Sequence, residues 1–177
     1  MQVNSSEPHE YFDVVDSEDR VIGCESRAEV HRKNLLHRSV HAIIQNDAGE
    51  VFLQLRSEWR DNNPNLWDSS VAGHLQTGES YDHAMVRETE EEIGIRLDSP
   101  PERLFKLKAS EITDYEFCWI YRINHNGPFT IDLHEAQEAR WFSPEELDSW
   151  IETSPLELTS AFRLIWQTYK EYEQKNQ

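Results

Sequence analysis

Only two cysteines, Cys24 and Cys118, occur in the 177 residues, and they lie far apart. That argues against a disulfide scaffold and suits a reducing compartment. No stretch approaches the roughly 18 consecutive apolar residues that a membrane-crossing helix needs, so no transmembrane segment is expected. The opening residues, MQVNSSEPHE, hold neither a basic n-region nor an apolar run. No secretory leader is therefore expected, and the expected location is the cytoplasm. Basic residues are scarce too: 17 Lys and Arg stand against 34 Asp and Glu, a formal net charge of −17. So acidic a chain is a poor match for a nucleic-acid backbone or an anionic membrane, although a local basic patch for a small anion remains compatible with it. Internal repeats and interdomain linkers are missing as well. At this length one domain with a real core is expected.

What is present alternates between strand and helix patterns. Residues 1–9 are polar and expected to be disordered, with a single domain over 10–177. Residues 11–22 read as a hairpin turning at Asp16 to Asp19. Residues 26–36 have helix or loop character, punctuated by His31 and His37. Strands are expected at 40–45 and 51–55 around the turn Asn46-Asp47-Ala48-Gly49, and a short one at 67–72 after a polar loop over 57–68. Beyond Pro100-Pro101, residues 103–109 and 116–123 alternate like strands, the second with Trp119, Tyr121 and Ile123 on one face. Another short strand is expected at 139–142. Ser143-Pro144 opens a helix, and residues 156–172 form a last amphipathic helix with Leu158, Phe162, Ile165, Trp166 and Tyr169 toward the core. The order of elements predicts one mixed α/β domain.

The richest stretch is residues 73–95, GHLQTGESYDHAMVRETEEEIGI. A helix is expected over 80–93, capped by Ser80 and ended by Gly94. Residues three and four apart share a helix face, so Glu88, Glu91 and Glu92 are expected to project together. Three carboxylates there repel one another unless a hard divalent cation, Mg²⁺ or Mn²⁺, joins them. Mg²⁺ in such sites is held by a few carboxylates plus substrate phosphates.

Gly73, Glu79 and the run Arg87 to Ile95 stand at the spacing of the Nudix box, which this stretch resembles at every strictly specified position: Gly73, Glu79, Arg87, Glu88, Glu91, Glu92 and Gly94. Thr89 departs from it, since the family usually has an aliphatic residue there. The resemblance implies an α/β/α sandwich around a mixed sheet, and an enzyme that cleaves a diphosphate bonded to another moiety. It also implies a Mg²⁺ or Mn²⁺ site built from Glu88, Glu91, Glu92 and the carbonyl of Gly73. Arg87 would hold a box carboxylate, and Glu79 would orient the loop or join an outer shell of the metal.

Outside the box the chain resembles the branch of that superfamily containing the isopentenyl-diphosphate isomerases. The likeness rests on VDSEDRVIG (15–23), on Leu36-His37-Arg38 with His41, and on WDSSVAGH (67–74). It implies a second divalent-metal site, for Mn²⁺ or Zn²⁺, on His31, His37, His74, Asp114 and Glu116. It also places Arg27, Arg56 and Arg60 on the substrate diphosphate. Strand alternation would put Asp114 and Glu116 on one face. Where the isomerases carry the proton-transferring cysteine, directly before Gly-His, this chain has Ala72. A methyl group transfers no proton, so the residues favour hydrolysis over isomerisation.

The expected function is thus a metal-dependent hydrolase of a small diphosphate substrate: a prenyl diphosphate, a nucleotide or a nucleotide sugar. Glu91, Glu88 and Glu116 are the catalytic candidates, with Glu135 and Glu138 as further sources of a general base. The alternatives are an isopentenyl-diphosphate isomerase and a non-catalytic binding protein of the same fold. A homodimer is compatible with the family resemblance.

Overall fold

The computed structural model describes residues 10–176. The expected disordered tail, residues 1–9, lies outside the described residues. β1 (Tyr11–Val15) and β2 (Val21–Ser26) pair as an antiparallel hairpin. Asp16 closes its turn, accepting from the backbone N–H of Glu18 at 2.9 Å and of Arg20 at 3.0 Å. Ser26 then caps the short α1 (Arg27–Lys33).

A seven-stranded sheet follows: β3 (His37–Gln45), β4 (Val51–Arg56), β5 (Trp67–Asp68), β6 (Val71–His74), β7 (Glu102–Leu107), β8 (Glu116–Asn124) and β9 (Ala136–Phe142). β3 and β8 run parallel along their whole lengths while the other pairs are antiparallel, so the sheet is mixed as expected. Helix α2 (Tyr81–Ile93) covers one face; α3 (Pro144–Thr153) and α4 (Ser160–Lys175) cover the other.

Strand alternation divides the core in two. Val40, Ala42 and Ile44 of β3, with Tyr121 and Ile123 of β8, pack against Ala84, Met85 and Ile93 of α2. Ile43 and Ile120 point the opposite way, onto Phe162, Ile165 and Trp166 of α4. Along that second face, β3 changes character: Ile43 is core, but His41, Ser39 and His37 precede it. One face of one strand thus carries packing at one end and chemistry at the other.

The strands on either side of the 46–49 turn meet at only one paired position, Gln45 with Val51. Beyond it they diverge. β4 goes on with β9 and β5, whereas β3 takes β6 as its neighbour. The strand expected at 67–72 is consequently two strands, broken at Ser69-Ser70. Ser70 stitches the divergence: its Oγ accepts from the N–H of Ile44 at 2.8 Å and donates to the carbonyl of Phe52 at 2.5 Å. The opening between the two halves of the sheet is where the site lies.

The last helix starts at Ser160, four residues later than expected, and runs to Lys175. Pro155–Glu157 forms a 3₁₀ turn, Leu158 bridges to Trp67, and Thr159 caps α4 by accepting from the N–H of Phe162 at 3.1 Å. The apolar stripe is buried as expected, though Leu158 reaches the core from outside the helix.

Candidate active site

The box forms the helix its residues call for. Ser80 caps α2 by accepting from the N–H of His83, and Gly94 ends it in the left-handed region at φ 73°. Thr89, the departure from the family pattern, is fully buried, and its Oγ1 donates to the carbonyl of Met85 at 2.7 Å. That back-bond one turn away satisfies the hydroxyl, so the departure leaves no orphaned polar group.

Arg87 organises the face below. Its Nε and Nη2 donate to the two oxygens of Glu79, both at 2.8 Å, and Nη1 reaches Glu88 at 2.8 Å and Glu91 at 3.0 Å. Glu79 also accepts from the N–H of Gln76 at 2.9 Å, so it orients the loop ahead of the helix. A Cβ on Gly73 would stand 2.0 Å from Cδ of Glu88. Only glycine lets the β6 backbone approach that carboxyl so closely.

The three carboxylates expected to project together divide. Glu88 and Glu92, one helical turn apart, both point inward to β6. Glu92 is 5% exposed and accepts from Nε2 of Gln54 at 3.0 Å and from the N–H of Ala72 at 3.3 Å. Glu91 swings out to Arg87 with its side chain 57% exposed. Burial pushes the Glu88 carboxyl up to about 7 against the opposing pull of Arg87. Burial, then the negative Glu88 and Glu135 nearby, push Glu92 well above the ordinary carboxylate range.

The residues implied by the second resemblance gather from four separate elements. His31 of α1, His37 of β3, His74 of β6 and Glu116 of β8 have ligating atoms all within 4.8 Å of one another. β3 lies between β6 and β8, in register Ser39 to His74 and His37 to Glu116, which brings the side chains together. Phe12 stacks over His74 with ring centroids 4.7 Å apart. His37 Nδ1 donates to the carbonyl of Leu35 at 2.8 Å, which leaves its Nε2 as a lone pair facing the cluster. His74 Nε2 donates to Oε1 of Glu116 at 2.8 Å. Burial drives the His74 imidazole down to about 3, so it is neutral. Burial alone would raise Glu116, but His74 and His37 beside it hold it well below the usual range.

Among the described residues, two imidazole nitrogens of this cluster, His31 Nε2 and His37 Nε2, are buried without a hydrogen-bond partner. Buried polar atoms are nearly always paired. Three neutral-capable imidazoles and a carboxylate are a donor set for Mn²⁺ or Zn²⁺. Asp61 Oδ2 stands 3.6 Å from His31 Nδ1, the outer-shell arrangement that orients a ligating histidine.

Asp114 stays outside this four-residue group. Its expected alternation with Glu116 does not arise, because β8 begins only at Glu116. Asp114 and Tyr115 sit in the left-handed region at φ 52° and 65°. Asp114 lines the same cleft and accepts from Nδ2 of Asn63 at 2.9 Å, and burial pushes its carboxyl up.

Arg27, Arg56 and Arg60 all line this cleft. Arg27 pairs with Glu10 at 2.9 Å and Asp61 at 3.0 Å, Arg56 with Asp68 at 3.4 Å, and Arg60 with Glu135 at 2.7 Å; the buried Nε of Arg60 has no partner. A neighbouring hollow shares Arg56, Asp68 and Ala72 as a wall and extends to Glu92 and Glu135. His74 and Glu116 of the cluster thus line the cleft with the three arginines, and Glu92 of the box lines the hollow beside it. Glu138 does not join them; it pairs with Arg140 at 2.8 Å with its side chain 47% exposed. Trp119 faces the opposite side of β8, under Arg103.

Sequence reasoning gave no role to Gln54, Asn62, Asn63 or Asp61. Asp61, Asn62 and Asn63 lie on a polar loop that only the fold turns back over the histidines, and Gln54 of β4 reaches Glu92 only through the sheet. Asn62 Nδ2 stands 3.2 Å from His31 Nδ1. His41 entered only as part of a resemblance, although the alternation His37, Ser39, His41 along β3 was a readable signal that it faces the same side as His37.

A family profile for the NUDIX domain matches residues 35–162. An uncharacterised Nudix hydrolase of Yersinia pestis is 31% identical over 142 residues, covering 78% of this chain and 75% of that protein. Isopentenyl-diphosphate Delta-isomerase 1 of Photorhabdus laumondii is 26% identical over 159 residues, covering 86% of this chain and 90% of that one. A crystal structure of a Deinococcus radiodurans protein superposes with a TM-score of 0.74 at 27% identity, covering 82% of this chain and 90% of that chain.

Proposed function

This chain belongs to the NUDIX domain family, and on that premise we propose that it is a metal-dependent hydrolase cleaving a diphosphate linkage in a small phosphorylated substrate. One observation carries the reading: Glu88 and Glu92 pack against Gly73 and Ala72, and Glu92 lines a hollow that shares Arg56, Asp68 and Ala72 with a cleft lined by three arginines. Arg87 reaches only Glu88 of this inward pair. The second carboxylate, Glu92, is pushed up by burial and by Glu88, and a divalent cation with a phosphate ligand would relieve that repulsion.

Glu88, Glu91, Glu92 and the Gly73 carbonyl would hold Mg²⁺ or Mn²⁺. When bound, the metal supplies charge screening of the diphosphate and acidifies water. Arg27, Arg56 and Arg60 exchange their present carboxylate partners for phosphate oxygens, to which a planar guanidinium is well matched. Glu88 is the general base. With its carboxyl near 7 it exchanges a proton at neutral pH. Glu116 accepts from His74, and Glu91 faces solvent on Arg87. Water oxygen bonds to phosphorus, its proton passes to Glu88, and the bond from phosphorus to the bridging oxygen breaks. The bonding pair leaves with that oxygen on the departing moiety, which takes a proton from solvent where its basicity requires one.

His31, His37, His74 and Glu116, with Asp114 at the cleft wall, would hold the second cation. That cluster and the Photorhabdus laumondii relative favour a second reading, isomerisation of a prenyl diphosphate. Against it stands Ala72, which by resemblance corresponds to the isomerase cysteine and whose methyl transfers no proton. The substrate class (prenyl, nucleotide or nucleotide sugar), a cytoplasmic location and a homodimer belong to the same proposal.

The test is incubation with isopentenyl diphosphate, ADP-ribose and a nucleotide panel in Mg²⁺ and in Mn²⁺. Phosphate or monophosphate release and dimethylallyl diphosphate formation are followed together. Phosphoryl release without isomer is expected. Isomer formation overturns the inference from Ala72, and ligand binding without turnover of any member overturns the hydrolase.

A further inference from the structure

We propose that His41, Glu116 and Cys118 form a further metal site, taking a borderline-soft divalent cation such as Zn²⁺ and sharing Glu116 with the three-histidine cluster. The three ligating atoms lie within 4.8 Å of one another; His41 and Glu116 line the cleft, and Cys118 is buried behind them. The strand register makes their meeting unexpected. His41 pairs with Ile120, four residues along β8 from Glu116, a separation of roughly 13 Å at about 3.3 Å per residue. Between them on this face stand only Ser39 and Cys118, paired with each other. Both are small, so the long side chains of His41 and Glu116 lean toward each other across them, and the thiol lies beneath the point where they converge.

The chemistry of each group fits a ligand. His41 is 4% exposed and its Nδ1 stands 2.9 Å from the buried Oγ of Ser69, the orienting bond that ligating histidines make through their second nitrogen. Among the described residues, His41 Nε2 has no hydrogen-bond partner, and His41 lines the open cleft. His41 and Glu116 are not bonded to each other, so a gap separates them. In a tetrahedral zinc site, bonds of about 2.0–2.3 Å set neighbouring ligands roughly 3.3–3.8 Å apart. Side-chain rotation of about 1 Å closes the present spacing to that. Ser39 Oγ, 3.0 Å from Cys118 Sγ, is placed to donate to the sulfur once the metal–sulfur bond forms and the thiol proton leaves to solvent. Three protein ligands leave one position facing the cleft, the pattern of an open rather than a structural site. Thiolate with imidazole selects Zn²⁺ over the Mg²⁺ or Mn²⁺ suited to the box.

The test uses the full chain without substrate, so it stands or falls separately from the hydrolase reading. Titration with Co²⁺ alone is expected to produce a thiolate-to-cobalt charge-transfer band. The band should survive Cys24→Ser, which removes the exposed thiol, and His31→Ala, which touches only the neighbouring cluster. It should vanish in Cys118→Ser, and in His41→Ala the Co²⁺ affinity for it should fall by about tenfold or more. If Cys118→Ser does not fold, X-ray absorption of the Zn²⁺-loaded chain carrying Cys24→Ser supplies the second reading, a sulfur neighbour at about 2.3 Å. Absence of the band in the folded chain, its loss with Cys24→Ser, its indifference to His41→Ala, or a zinc shell without sulfur overturns the proposal.

Discussion

Arg87 of the box helix donates from Nη2 to the main-chain carbonyl of His74, 2.9 Å away. The side chain of that same His74 reaches Glu116 at 2.8 Å. The box and the histidine cluster are therefore mechanically joined through one residue.

Replacing Arg87 with alanine should damage both. It strands Glu79, whose side chain is 6% exposed, and Glu88 without their cation. Breaking a buried pair in this way costs about 3 kcal/mol. Urea unfolding of Arg87→Ala should show that loss, and its affinity for Mn²⁺ or Zn²⁺ should drop as His74 loses its anchor. Wild-type stability would mean that the clamp contributes nothing.

The metal-free protein should become less stable as pH rises from about 4.5 to about 7. Glu88 has its folded pKa raised above its ordinary value to about 7, so across that window the folded state binds the proton that the unfolded state has released. The contribution is full below about 4.5 and lost on passing 7, on the order of 3 kcal/mol at about 1.4 kcal/mol per pH unit. Glu92, raised in the same direction, adds to the trend. His74, depressed to about 3, works against it up to about 6.5, so the metal-dependent part of the slope is the readout. Thermal melts across this range, with and without saturating Mg²⁺, check it. The slope should flatten when metal is present, and an identical slope in both would count against these carboxylates as ligands.

Glu91→Gln should leave folding unchanged, since its side chain is more than half exposed, yet lower turnover about 100-fold. The fold is read by circular dichroism and turnover by phosphate release. Wild-type-like turnover rules out the proposed metal platform.

His74→Ala should remove one Mn²⁺ or Zn²⁺ equivalent per chain while the box retains Mg²⁺. Isothermal titration with each ion separates the two effects. An unchanged metal stoichiometry eliminates the histidine site and leaves the hydrolase reading intact.

Arg60→Ala should raise KM about tenfold with a smaller change in kcat if its guanidinium binds the substrate diphosphate equally in ground and transition states. A kcat loss with KM unchanged would assign Arg60 to positioning Glu135, its present partner at 2.7 Å, instead.

Much of this molecule is decided locally. The box helix with both of its caps, the Ser143 capping box, the alternation of β8 and the stripe on α4 follow from side chains a few residues apart, so each was readable from spacing alone. His31, His37, His74, Asp114 and Glu116, far apart in the chain, could be set together only through the family resemblance.

Tertiary structure decided the rest. Whether Glu91 turns inward with Glu88 and Glu92 depends on where Arg87 is pinned, and Glu79 and the His74 carbonyl do the pinning. The splitting of residues 67–74 into two strands depends on β3 and β4 parting after one pair, a matter of which strand each takes as its neighbour. The convergence of His31, His37, His74 and Glu116 needs one helix and three strands in register, and that of His41 over Cys118 needs two long side chains leaning across two small ones. Local sequence sets the dihedrals and the face of each residue. Distances between groups far apart in the chain are fixed only when the elements pack, and the chemistry of this protein lies in those distances.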